Sequence, residues 1–460
     1  MPGLDRRGSV ARAKPVVSIV VAWVLLLPVW GCQQILGLHD RTQDVSIDAG
    51  TPDGEIPGLV TGQCGPLRHP SGICAECMDQ KCCAQADACH ADGSCDPAFD
   101  CLLGCGNDGA CRARCAVFYN RTDSLLDLTA CRESQCASAC GYACGGLGYS
   151  VPGCDTCVNS SCCEAASTCA MSSDCLKLDL CVSNCLPGSM SCPADCQLVY
   201  PNGVAAYQPR LNCTQNTCGA ACDTGRGWQC LDMPVRWPKP KGFGTIAFSV
   251  TIVDLLSEKP YANADVKACS KLDLPCTMPL DQGRTDGGGL VALTVPAGTE
   301  GFDGYLDITG GDNGSGSAIF PAIYYPVPPV ISPGWRGRFQ FVSAQDLTLL
   351  GAATGAAIDP ARGHFAANTS DCNFTGAGGV SFTVDSADAE TQAFYFVNGV
   401  PNISATQTDP RSPIGGFVNL PPKLVLVSAT SAAAGNKTMG TMTVNIRAGS
   451  FTTTTFPPIP

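Results

Sequence analysis

Charge is scarce in this chain of 460 residues, where Asp, Glu, Lys and Arg together make up 15%. Basic residues are scarcer still, 28 against 40 acidic ones, for a formal net charge of −12. Nucleic acid and anionic lipid surfaces are bound through Lys and Arg, so this balance speaks against both as partners. Histidine occurs only at His39, His69, His90 and His364. There is no GxSxG, no HExxH, no GxxxxGK followed by Ser or Thr, and no GxGxxG after a strand, so the short motifs of hydrolases, zinc proteases and nucleotide enzymes are missing. The absence of CxxCH excludes c-type haem attachment by motif. A hydrophobic content of 45% rules out a wholly disordered chain. The length leaves room for about three domains of ordinary size.

What the chain has in excess is cysteine, 33 residues of it. Between Cys64 and Cys222 they fall into two copies of one pattern. The first copy is Cys64, Cys74, Cys77, Cys82, Cys83, Cys89, Cys95, Cys101, Cys105, Cys111, Cys115, Cys131, Cys136 and Cys140. The second is Cys144, Cys154, Cys157, Cys162, Cys163, Cys169, Cys175, Cys181, Cys185, Cys192, Cys196, Cys213, Cys218 and Cys222. The offset between partners is 80 residues up to Cys105, 81 at Cys111 and 82 by Cys131. Nine successive cysteines in register are an internal repeat. So many thiols would be reactive in a reducing cytosol, whereas in an oxidising compartment they pair and stand in for a hydrophobic core. Cofactors are therefore not expected, and export is.

The N-terminus carries a route for it. Residues 1–14 hold Arg6, Arg7, Arg12 and Lys14, and Pro15 to Trp30 form an uncharged apolar run, the n-region and h-region of a signal sequence over residues 1–31. The run falls short of the roughly 20 residues that span a bilayer as a helix, and Pro28 would disturb one. Val29, Trp30, Gly31 and Cys32 resemble the lipobox of bacterial lipoproteins. That resemblance implies lipidation at Cys32, and Gln33 after it implies the outer membrane. Parity agrees: with Cys32 set aside, 32 cysteines remain, an even number. Residues 32–63, rich in Asp, Gly, Pro and Thr, read as a solvated, lipidated tether.

Each repeat, 64–143 and 144–236, has few large apolar side chains, so disulfides must supply what burial cannot. CxxxC pairs, such as Cys101 with Cys105 and Cys136 with Cys140, place both sulfurs on one helical face. The spacing from Cys105 to Cys111 suits a cross-linked helical hairpin, so the repeats are expected to be short stapled helices. The pairing itself stays open, because the possibilities multiply with each cysteine. Cys74, Cys77, Cys82 and Cys83, and again Cys154, Cys157, Cys162 and Cys163, have spacings that zinc or an iron-sulfur cluster could use. Fourteen cysteines per unit in an exported chain favour structural disulfides over that alternative. His69 and His90 have no counterparts in the second copy, where Tyr149 and Ala170 stand. Tyr119 and its counterpart Tyr200 are expected in the core.

After Cys230 the composition changes. Residues 244–256, 289–295, 304–309, 379–384, 392–397, 416–419, 424–430 and 441–446 read as strands between Gly, Pro, Asn and Asp turns. Ala262 to Val266, Thr285, Asp286, Gly289, Leu290 to Val295, Pro296 to Gly298 and Gly301 to Tyr305 resemble the carboxypeptidase regulatory-like domains. Thr408, Asp409, Gly415, Gly416, Phe417, Leu420 and Pro421 repeat the order. The resemblance implies two transthyretin-like β-sandwiches, 242–345 and 346–460, which in that family serve as spacers or binding modules. Cys269 and Cys276 are close enough for a local bridge, which leaves Cys230 and Cys372 as possible partners by elimination. His364, beside Arg362 and Gly363 in what reads as an exposed turn, is the only base available to a catalytic arrangement in this half. Asp303, Asp307, Asp312 and Asn313 are the residues a calcium ion would need.

The expected fold is thus multidomain, with two disulfide-rich, mainly helical repeats followed by two all-β sandwiches. The expected function is that of a non-enzymatic protein held on the outer membrane by its lipid, with a structural, adhesive or ligand-binding role toward a protein or glycan. A metal-binding or redox envelope protein and an envelope hydrolase are the alternatives.

Overall fold

The computed structural model describes residues 59–105, 112, 115, 117–119, 121–141, 144–146, 152–183, 192–223, 227–232, 237–240, 244–314, 316–372, 374, 376–410 and 412–459. The signal sequence, most of the tether, Cys32, Cys111 and Cys185 lie outside them.

Polar caps and cysteines set the helix ends in the repeats. Ser71 Oγ accepts the Cys74 N–H at 3.2 Å and starts the helix Gly72–Lys81. Cys82 leaves helical geometry (φ −123°, ψ 19°), and a second helix, Cys83–Ala91, departs from there. Cys162 makes the same break (φ −122°, ψ 12°) ahead of Cys163–Ala170. The break explains the side-by-side cysteines: from one hinge, Cys82 reaches inward to Cys131 while Cys83 reaches back to Cys64. Helices Cys95–Cys105, Asp123–Gln135 and Ala137–Cys140 complete the first copy among the described residues. Pro152–Ser161, Ser173–Ser183, Cys192–Val199, Val204–Asn216 and Gly219–Asp223 belong to the second. Gly65 and Gly145, each following the first cysteine of its copy, have φ of 63° and 76°. A Cβ there would stand 2.3 Å from Ala86 O or 2.5 Å from Ala170 Cβ, so both copies require glycine at this point.

The copies are packed on each other. Leu126 and Ala130 of the first share a cluster with Leu176, Leu178 and Tyr207 of the second, and Lys177 meets Asp127 at 2.8 Å.

A short ladder, β1 (Val60–Thr61) with β2 (Arg68–His69), precedes the helices. The β region begins with β3 (Thr245–Asp254), β4 (Ala262–Ser270), β5 (Asp281–Arg284), β6 (Leu290–Pro296), β7 (Gly304–Asp312), β8 (Ala322–Tyr325) and β9 (Trp335–Phe341). It continues with β10 (Gly363–Thr369), β11 (Val380–Val384), β12 (Gln392–Val397), β13 (Val400–Asn402), β14 (Ile414–Leu420), β15 (Leu424–Ser431), β16 (Lys437–Asn445) and β17 (Phe451–Phe456). In the first sandwich β6-β3-β9 faces β5-β4-β7-β8, with Ile246, Val250, Val266, Leu293 and Ile308 buried between the layers. In the second β11-β15-β16 faces β13-β12-β14-β10-β17, over Phe365, Phe382, Val425, Val427 and Phe456. The two larger layers are one nine-stranded sheet, because β17 pairs in parallel with both β8 and β10. The threonines of the two resembling turns do the same work. Thr285 Oγ1 accepts the Ala264 N–H (2.8 Å) and donates to Tyr261 O (2.6 Å). Thr408 Oγ1 accepts the Val380 N–H (3.1 Å) and donates to Ala377 O (3.0 Å).

The helix Ala344–Thr354 connects the sandwiches, started by a capping box in which Ser343 and Asp346 each accept the other's N–H. The helical part is fastened to the β part by the Cys230–Cys372 disulfide and by the Trp335 indole, which donates to Val117 O at 3.2 Å.

Candidate functional site

The sulfurs come first, since most of the sequence-derived site residues are cysteines. All thirty described cysteines are disulfide-bonded. Three rungs, Cys74–Cys140, Cys77–Cys136 and Cys82–Cys131, tie the helix Gly72–Lys81 antiparallel to Asp123–Gln135 and its continuation. Cys154–Cys222, Cys157–Cys218 and Cys162–Cys213 repeat them. The local bridges Cys64–Cys83, Cys89–Cys95 and Cys101–Cys115 recur as Cys144–Cys163, Cys169–Cys175 and Cys181–Cys196. Cys105 and Cys192 are disulfide-bonded as well, and Cys269–Cys276 is bridged. Each cysteine of the CxxC and CysCys elements thus joins a different partner, which leaves no thiolate there to hold zinc or an iron-sulfur cluster. Cys101, Cys105 and Cys115 do bring their sulfurs within 4.8 Å of one another, but as oxidised sulfur.

The other predicted residues are not brought together. Asp303 and Asp312 stand at opposite ends of β7, about 30 Å apart at roughly 3.3 Å per residue. Asp303 pairs with Lys271, Asp307 with Arg447 at 2.9 Å, and Asp312 accepts the Gly314 N–H at 2.8 Å. His364 is not in an exposed turn: Gly363 opens β10 and His364 is fully buried, its Nδ1 accepting the Asn419 N–H at 3.2 Å. Burial, only partly offset by Asp359, lowers its pKa to about 4, so the ring is neutral. It packs near Phe320 and Phe451, with centroids 6.0 and 5.9 Å away, as a core side chain does. Tyr119 is buried and Tyr200 half-buried.

A concave site does exist where the sandwiches meet. The helix Ala344–Thr354 lies on the face of the nine-stranded sheet opposite β11-β15-β16, over Ala366, Phe394, Val418 and Phe451. Beside it is a cavity of about 340 Å³. Its walls are Leu255 and Leu256 after β3, Leu349 and Leu350 of the helix, Phe394 and Phe396 of β12, and Val400 of β13. Polar groups are few. Gln340 lines the cavity but donates its amide to Leu255 O at 3.3 Å. Asp346 lines it too. Burial, together with the charge of Asp254, pushes its carboxyl above the ordinary range, against hydrogen bonding at Ser343. For Asp254 itself burial pushes upward, but hydrogen bonds from Tyr261 and Ser257 outweigh it and hold the carboxyl low. A second hollow, of about 430 Å³ between the first repeat and β3, has the polar side chains of Asp92, Ser94, Thr294 and Arg336 on its wall. Leu255, Leu256, Phe394 and Phe396 fall in segments read from sequence as strands, but no residue around the apolar cavity was read there as a site residue, although Ser343-x-x-Asp346 ahead of Leu347 was a readable helix start.

The fold and the sulfur frame define a disulfide-stapled helical repeat protein carrying two joined β-sandwiches. No family model and no curated protein matches the chain. Among solved structures it is similar to the Bacillus anthracis TIE protein, with 14% identity over 46% of this chain and a TM-score of 0.16. The chain spans 34% of that protein's length. Shaft pilin SpaA from Lactobacillus rhamnosus GG matches at 10% identity, over 47% of this chain and 98% of the pilin, with a TM-score of 0.16. A streptococcal ancillary pilin matches at 10% identity, over 47% of this chain and 70% of its own, with a TM-score of 0.15. Scores this low carry no inference about function. Among the described residues, no helix is long and apolar enough to cross a membrane.

Proposed function

We propose that the chain is a non-enzymatic protein of the cell envelope, anchored on the outer membrane by lipid at Cys32, with a structural, adhesive or ligand-binding role. The stapled repeats form a protease-resistant stalk, and the sandwiches carry the surface that meets a protein or glycan. The observation that carries this reading is the disulfide bonding of all thirty described cysteines, which supports an oxidising compartment reached by export. Spent sulfurs at Cys74, Cys77, Cys82 and Cys83 weigh against a metal or redox role. The burial of His364 weighs against the hydrolase.

Processing of the precursor should be blocked by globomycin, and Cys32 should be labelled by a palmitate analogue. A Cys32→Ser chain that is still processed and held in the membrane would refute the anchor. Titration with a thiol reagent before any reductant should find no stoichiometric reaction; thiols appearing there would refute the oxidised frame. An array of glycans and envelope proteins, probed with the same material, then identifies the partner.

A further inference from the structure

The cavity beside the helix Ala344–Thr354 is unlike the rest of the surface. Small residues open it: Ala353 on the helix, Ala366 on β10 and Gly399 in the β12–β13 turn stand where larger side chains would close the gap. Its 340 Å³ is roughly twice the 150 Å³ of an apolar protein cavity that accepts benzene. Its size also falls within the usual range for small-molecule sites, which favour junctions between domains. Around the mouth, three large aliphatic side chains from three separate elements are left in water: Leu256 (59% exposed), Leu349 (51%) and Val400 (60%). Asn368, exposed at the mouth on β10, makes no side-chain hydrogen bond among the described residues, so its amide can serve a ligand. Asp346 in the wall gives the charge preference, because a ligand carboxylate would enter a mostly apolar cavity that already holds a buried carboxyl.

We propose that this cavity binds an uncharged amphiphile, an alkyl or aryl body of about two benzene rings' bulk with one neutral hydrogen-bonding head placed at Asn368. This goes beyond the envelope reading and does not depend on how the chain is anchored.

The test uses the full chain in lipid vesicles and 4-hydroxybiphenyl as the probe, measured by equilibrium dialysis against protein-free vesicles as the blank. Saturable binding of one probe per chain is expected, with biphenyl-4-carboxylate at least tenfold weaker at pH 7. Ala366→Phe fills the floor and should abolish binding. Val400→Asp, at an exposed position that leaves folding intact, should weaken it about tenfold, as burying an aliphatic contact implies. Asn368→Leu should erase the preference for 4-hydroxybiphenyl over biphenyl. No saturable binding, equal binding of the carboxylate, or affinity unchanged in both Ala366→Phe and Val400→Asp would overturn the proposal. It would equally be overturned by a wild-type dimer that Val400→Asp dissociates, since the mouth would then be covered by a second copy.

Discussion

The two cysteine repeats hold different chemistry in the same place. In the first, Phe99 and Leu128 are both fully buried, on helices Cys95–Cys105 and Asp123–Gln135. Shifted by the repeat offsets of 80 and 82, these positions become Asp179 and Arg210 in the second. There a guanidinium with no exposure meets a buried carboxylate at 2.5 Å. Two apolar members of one buried cluster have been replaced by an ion pair, while every described disulfide of the first copy keeps its equivalent in the second. Helix positions are therefore set by the sulfur frame, and the pair between the helices is free to change. In a domain held by burial alone such an exchange would move the helices, because a buried pair must recover its desolvation by geometry.

The comparison is broken most strongly by removing the buried carboxylate. Asp179→Ala takes its partner charge from Arg210, and from Arg121, which faces the same carboxylate, and should cost about 3 to 5 kcal/mol, as broken buried pairs do. Phe99→Ala in the first copy should cost a similar amount, about 3 to 5 kcal/mol, by a different route, lost burial plus a cavity. Chemical denaturation of the two variants measures both. Salt should change the first cost and leave the second alone, since only one is electrostatic in origin.

If the frame dominates, equivalent rungs should weigh the same in both copies. Cys82–Cys131 closes 49 residues and Cys162–Cys213 closes 51. Replacing either pair by serine should cost about 2 to 3 kcal/mol from loop-closure entropy in both copies, because the neighbouring rung, Cys77–Cys136 or Cys157–Cys218, already closes the long loop and leaves only about ten residues to constrain. Removing Cys89–Cys95, a separation of 6, should cost only about 2 kcal/mol by the same relation. Unequal losses at the two long rungs would show that local packing sets the helices. The swap Asp179→Phe with Arg210→Leu, made together with Arg121→Leu because Arg121 faces the same carboxylate, sharpens the point: it should be neutral or stabilising by about 1 to 4 kcal/mol, with all bridges still formed on non-reducing peptide maps.

Much of this architecture was readable before the structure, and the reasons for the rest are physical. The repeat was visible because cysteine spacing is a discrete signal. The pairing was not, since spacing alone does not say that Cys82 turns inward and Cys83 back; that follows from a helix break seen only in three dimensions. Strands with alternating apolar residues, such as β3, β6 and β12, stood out. β9 (WRGRFQF) and β17 (FTTTTF) did not, because arginines and threonines blur the period. With β17 unread, the fusion of the two sandwiches into one sheet had no local trace, as parallel pairing joins residues more than 80 positions apart in one case and more than 120 in the other. The cavity was less legible still, being assembled from separate strands, a turn and a helix.

The smallest effect is also the most conditional, because it appears only as pH changes. Asp155 is fully buried in the second copy, whereas the equivalent position in the first is Ala75. Burial raises its pKa to about 7, in spite of the Arg112 charge and the Asn159 amide that donates to it at 2.9 Å. A carboxyl that keeps its proton longer when folded than when unfolded favours the fold fully below the unfolded value near 4. That advantage is lost as pH rises from there to about 7. The gap corresponds to a ceiling of about 4 kcal/mol, of which about 2 kcal/mol is expected after relaxation around the charged form. Asp155→Ala should therefore stabilise the chain at pH 8 relative to wild type and change little at pH 4. The two denaturation midpoints should converge as pH falls, while Ala75→Gly, with no proton to hold, should shift the midpoint by the same amount at both pH values. Parallel pH profiles for wild type and Asp155→Ala would show that the carboxyl in the second copy costs its fold nothing, and that the two copies differ in composition without differing in their response to acid.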